Sequence, residues 1–267
     1  MLPQRILTAI GLVAVLALVL LGLPPTLAVL ALAAMVLAGA WEWAALAGLE
    51  GPVARLAYIG GCALVMAALW FGTVEAARFE CALSIILLGW IPLYGWIAFA
   101  PGRRHRGLAA IAGAWALAPM WLALTRLYLQ AGQGAEMVVF VLVLIWAADI
   151  GAYFAGRHFG RLRLAPIVSP NKTWEGVLGG LFAGSLVALA GAAWFRLPPS
   201  GFLGLCIAAV LLSVVGDLLE SMLKRQRGMK DSGSLLPGHG GMLDRIDSLT
   251  AAVPLLALGF FWLGLAR

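Results

Sequence analysis

Residues 211–225 read LLSVVGDLLESMLKR, an apolar run whose charged residues begin only at Asp217. Asp217, Glu220, Ser221 and Lys224 stand at i, i+3, i+4 and i+7, so in a helix they form one stripe along a single face. Asp217 precedes the basic end by about two turns, which at 1.5 Å per residue buries it roughly 10 Å along the helix. In a spanning segment an acid costs roughly 2.5–3.5 kcal/mol, so it must face protein, water or a cation. The reading of this stretch therefore depends on the solvent around it.

Composition supplies that solvent. The 267 residues are 63% hydrophobic and 11% charged, with 11 Trp and a mean hydropathy of +0.99. So little polar surface excludes a water-soluble globule of this size and implies an integral membrane protein. Nine apolar runs approach the length of a bilayer-crossing helix: 6–23, 26–47, 54–74, 82–100, 108–125, 137–156, 176–195, 201–221 and 248–266. The expected fold is an all-α, polytopic bundle of about nine transmembrane helices. Its first 110 residues are a scaffold or dimerisation block; residues 111–267 are a catalytic block with polar loops at 157–175 and 222–247. The first run lacks a small-residue cleavage site and is read as a retained helix. Cys62, Cys81 and Cys206 have no paired spacing and are read as packing residues.

Charge orients the bundle. With nine helices, fourteen of the 18 Lys and Arg fall on the side shared by the N-terminus and the loops after the second, fourth, sixth and eighth runs. The positive-inside rule makes that side cytoplasmic. The cluster PGRRHRG at 101–107 needs no further explanation, and Glu42 in AWEWAALAG, 40–48, reads as an acid within the aromatic belt.

The loops at 157–175 and 222–247 combine basic residues with acids, glycines and hydroxyls, which orientation does not require. Five of the 12 acids lie between positions 217 and 247, and Asp149 is a second acid within an apolar run. Asp244, Asp247 and Ser248 form a second polar cluster, joined to the 217–224 stripe by one loop. Carboxylates without paired His or Cys suit Mg²⁺, with room for a second cation. Lys224, Arg225, Arg227 and Lys230 can hold phosphate oxygens, and Gly238, Gly240 and Gly241 let backbone N–H groups approach an anion. His239 either donates to a phosphate or holds the turn. Asp244 could equally cap a helix, Asp217 could pair with Lys224 or Arg225, and Ser169-Pro170 could cap the next helix.

The run Ser221, Lys224-Arg225, Lys230-Asp231, Gly233, Pro237, His239-Gly240-Gly241, Asp244-Arg245 and Asp247 resembles the signature of the phosphatidate cytidylyltransferases, or CDP-diacylglycerol synthases. A second block, 149–176, is similar to that family at Asp149, Gly156-Arg157, Gly160 and Ser169-Pro170-Asn171-Lys172-Thr173. The resemblance implies attack of phosphatidic acid on the α-phosphate of CTP, with a divalent metal, in a bacterial plasma membrane. It implies metal binding by Asp217, Asp244 and Asp247, with Asp149 behind them. It implies phosphate neutralisation by Lys224, Arg225, Lys230 and Arg245, with Asp231 and His239 in the same loop. Ser169, Asn171, Lys172, Thr173 and Ser221 would contact substrate, in a groove open between the sixth, eighth and ninth runs. A homodimer is also implied, and no nucleic-acid partner is expected.

Two other classes fit parts of the pattern. A transporter also carries intramembrane Asp and Lys but has no use for the Gly-His-Gly-Gly loop. A CTP-dependent lipid kinase would need a base to accept a hydroxyl proton and would release CDP. A P-loop is excluded, because no GxxxxGK occurs.

Overall fold

A computed structural model describes residue 11 and residues 14–235 and 240–265. Among these described residues eight α-helices follow one another: α1 Pro25–Ala47, α2 Pro52–Gly72, α3 Ala76–Phe99, α4 Arg106–Tyr128, α5 Gly134–Phe159, α6 Trp174–Trp194, α7 Pro199–Gln226 and α8 Leu249–Trp262. The described part of the first apolar run, 14–22, is also helical and closes in a π-turn at Leu18–Gly22. Proline sets the first turn of α1, α2 and α7, where its missing N–H leaves no bond unmade. Gly48 ends α1 in the left-handed conformation, at φ 78°.

Helices α1 to α7 are long and apolar enough to cross a membrane. Many of their outward side chains are large and apolar, among them Leu64, Phe71, Phe99 and Phe182. An all-α polytopic membrane protein therefore holds. The last run differs from the full span expected of it. Helix α8 has 14 residues, about 21 Å, and lies buried against α7, α4 and α3. It is a core element packed from all sides.

The hydrophobic pattern does not reveal how α5 and α6 pack. They form the most extensive helix pair, and glycine makes the contact possible. A Cβ at Gly151 would lie 2.7 Å from the Gly179 carbonyl oxygen, and one at Gly180 would lie 2.9 Å from that of Ala148. The segment between these helices, expected as loop, holds an antiparallel hairpin of β1 Arg163–Ala165 and β2 Ser169–Thr173. Arg163 pairs with Thr173 and Ala165 with Ser169, with an irregularity between. At the opposite end of the helices, Phe140, Phe195, Phe202 and Phe260 pack ring against ring.

Candidate active site

Thr173 ends the hairpin and starts α6: its hydroxyl accepts the Gly176 N–H at 3.1 Å. The helix cap is therefore Thr173, and Ser169 sits at the start of β2. This turn aims Lys172 across the bundle, where its ammonium pairs with Asp217 on α7. Asp217 thus finds its cation outside its own helix. Ser221, one turn further along, donates to the other Asp217 oxygen at 3.1 Å.

Around this pair lies a cavity of about 730 Å³, walled by α5, α6, the hairpin, α7 and the turn before α8. Asp149, Asn171, Lys172, Thr173, Asp217, Asp244 and Asp247 line it, so residues of both signature blocks meet in one space. Arg157 and Arg163 line it too, with Tyr153. The groove expected between the sixth, eighth and ninth runs thus gains α6 and the hairpin as walls. A second cavity of about 420 Å³, lined by Ile97, Pro166, Trp174, Leu211 and other apolar residues, shares Leu164, Val177 and Val214 with the first.

Below the cavity the 217–224 stripe closes on itself and on the following loop. Lys224 Nζ lies 2.5 Å from Glu220 and 2.7 Å from Asp244, with all three side chains at most 11% exposed. Asp244 sits in a short 3₁₀ turn, Leu243–Arg245, and does not cap α8. Its carboxylate also accepts the N–H groups of Gly241 at 2.8 Å and Ser232 at 3.0 Å. Burial works to raise the pKa of Asp244, but Lys224 and these two N–H groups outweigh it and hold the carboxyl below its usual range.

The basic residues expected around phosphate separate into two groups. Lys224 is held in its ion triad, Arg225 donates to the Met229 carbonyl at 3.2 Å, and Lys230 and Arg245 stand exposed. The cations that line the cavity are Arg157, Arg163 and Lys172. Asp231 is exposed beside Gly240. Gly240 adopts φ 79°, and the Gly241 N–H is used by Asp244. Gly238 and His239 lie outside the described residues, as does Pro237.

The Cytidylyltransferase family model matches residues 3–263. The chain belongs to the cytidylyltransferase family. A phosphatidate cytidylyltransferase of Haemophilus influenzae is 38% identical over 287 residues, covering 98% of this chain and 99% of its own. One from Pseudomonas aeruginosa is 42% identical over 267 residues and 96% of each chain. One from Brucella suis is 52% identical over 132 residues, 47% of each.

Whether this family member's cavity suits a divalent cation can be judged from its carboxylates. Among the described residues no three His, Cys, Asp or Glu side chains close into a ready-made cage. Mg²⁺ needs no cage when substrate phosphates complete its shell. Asp149, Asp217 and Asp247 face one cavity, and like charges so placed call for a proton or a cation between them. Asp247 responds in that way: burial, with Asp217 and Glu220 beside it, pushes its carboxyl well above the ordinary value. The donor set fits a hard cation joined by phosphate.

Two acids escaped the reading of the sequence. Glu220 was legible only as part of the stripe, yet it is fully buried against Lys224. Glu42 and Trp43, expected in an aromatic belt, point inward: the Trp43 indole donates to the Ala109 carbonyl at 2.8 Å, and Glu42 is 3% exposed. The inward turn of WEW has no local signal, because its partners lie far along the chain.

Proposed function

We propose that this chain is a phosphatidate cytidylyltransferase, joining CTP and phosphatidic acid to give CDP-diacylglycerol and pyrophosphate. The observation that carries the reading is the single cavity in which Asp149, Asn171 and Lys172 of one block face Asp244 and Asp247 of the other, with Asp217 of the α7 stripe between them in sequence. A phosphate-monoester oxygen of the lipid attacks the α-phosphorus of CTP. The bond from that phosphorus to the oxygen bridging to the β-phosphate breaks, and pyrophosphate leaves. The attacking oxygen is already anionic, so no protein base is required, and the chain's work is positioning and charge neutralisation.

Lys172, Arg157 and Arg163 neutralise the triphosphate and the lipid phosphate, and Asn171 reads base or ribose. Lys172 exchanges part of its contact with Asp217 for phosphate as substrate enters. Asp217 and Asp247, with Asp149 and Asp244 at hand, would hold Mg²⁺ and a second cation. Such an ion, when bound, offsets the charge developing on the triphosphate. Lys224 fixes Asp244 from below, and Lys230 and Arg245 meet the outer phosphates. Asp217 stands nine residues before the end of α7, about 13 Å, a depth matched to a lipid phosphate rather than to bulk solvent. The acyl chains lie along the adjoining apolar cavity past Val177 and Val214.

The finer topology belongs to the same proposal. It puts the N-terminus and the cavity mouth in the bacterial cytoplasm, with two copies paired through their membrane helices. Fourteen of 18 basic residues on one side support that orientation.

The test is pyrophosphate release by detergent-purified protein given CTP, Mg²⁺ and phosphatidic acid, with Asp217→Asn and Asp244→Asn alongside. Lipid-dependent release that falls at least a hundredfold in Asp217→Asn, and vanishes with chelator, is expected. Release of CDP without pyrophosphate would replace this reading with a lipid kinase.

A further inference from the structure

The loop that carries the second block is gripped from two sides. On one side stands Asp244, bonded to Ser232 and Gly241. On the other stands Glu42 of α1, which accepts the N–H groups of Met242 at 3.1 Å and Leu243 at 2.8 Å. The Ser232 hydroxyl lies between them, 3.1 Å from Glu42 Oε2 and 3.0 Å from Asp244 Oδ2. One hydroxyl proton faces two carboxylate acceptors, so Ser232 couples the positions of the two acids.

The backbone is shaped to admit Glu42. A Cβ on Gly233 would lie 2.4 Å from Glu42 Oε1, and one on Gly241 2.3 Å from Oε2. A buried carboxylate is costly unless several donors satisfy it, and among the described residues its donors are Ser232, Met242 and Leu243. Asp244 lines the cavity and Glu42 does not. A shift of Glu42 is carried through Ser232 and the 241–243 backbone to the acid rim of the site.

We infer that Glu42 is a positioning residue for the transfer reaction, seating Ser232 and the 241–243 backbone so that Asp244 holds its place at the cavity. The inference rests on the proposed activity for its kinetic readout alone. Its test is Glu42→Gln, Glu42→Asp and Ser232→Ala in full-length protein. Pyrophosphate release from CTP and phosphatidic acid is measured together with hydrogen exchange of residues 230–245. The carboxamide presents a donor to a backbone donor, so Glu42→Gln is expected to lower kcat about ten- to a hundredfold, with KM for CTP changed less than threefold. Exchange is expected to rise in 230–245 while α5 and α6 stay protected. Glu42→Asp should recover part of kcat, and Ser232→Ala should lose about three- to tenfold.

A kcat within twofold of wild type in Glu42→Gln would overturn the inference. So would a loss that only tracks the amount of folded protein, with loop exchange unchanged. If Glu42→Gln does not fold, unchanged kcat and exchange in Ser232→Ala overturn it. If wild type itself releases no lipid-dependent pyrophosphate, the activity reading fails, and the exchange data still decide the clamp.

Discussion

Replacing Lys224 with Met removes the cation shared by Glu220 and Asp244 and leaves two carboxylates facing each other. An exposed pair would lose at most about 1 kcal/mol. Here the Glu220 side chain is 0% exposed, Asp244 10% and Lys224 11%, so the stranded charges set the cost. Breaking a buried pair in this way costs about 3–5 kcal/mol. For a chain of this size each kcal/mol lowers Tm by about 2–4 °C, so a fall of about 6–20 °C is expected. Tryptophan fluorescence during heating in detergent reads it directly. Adding Glu220→Gln to Lys224→Met removes one stranded charge and should recover at least a third of the shift. A Lys224→Met protein melting within 2 °C of wild type, or a double variant less stable than the single, would refute the ion triad as a stability element.

Gly241→Ala places a methyl 2.2 Å from Ser232 Oγ, so a drop in kcat of at least tenfold is expected in the pyrophosphate assay. Gly60→Ala, whose Cβ meets nothing within 4 Å, should keep full activity. Gly151→Ala pushes α5 off Ala183 and the Gly179 carbonyl, 2.6 and 2.7 Å away, and should lower Tm through about 1–3 kcal/mol of overpacking. Gly95→Ala in the open should raise it slightly.

Helices were the legible part of this chain, because apolar runs of bilayer length announce themselves without partners. The polar stripe of α7 was legible for a similar reason: its period is that of a single helix, and Ser221 does bond Asp217. Contacts between helices were not. Lys172 and Asp217 are 45 positions apart, and nothing local tells Asp217 to prefer Lys172 over Lys224. The hairpin was hidden because SPNKT has a proline and no apolar alternation, so its strand state comes from pairing with Arg163 and Ala165. Gly151 and Gly180 carry no signal of their own within apolar runs, yet they are contact surfaces between α5 and α6. The cavity's residues could be named from the sequence more readily than the wiring among them.

The distance along the chain between Glu42 and its donors sets an order of assembly. Ser232 follows it by 190 residues and Leu243 by 201. At roughly 5–20 residues per second, α1 waits about 10–40 s after synthesis before its carboxylate finds a partner. During that interval every helix up to α7 must be inserted, and the loop has nowhere to dock if α1 is misplaced. Seating of Glu42 is thus a late step of biogenesis, and it ties the ripening of the acid rim to completion of nearly the whole polypeptide.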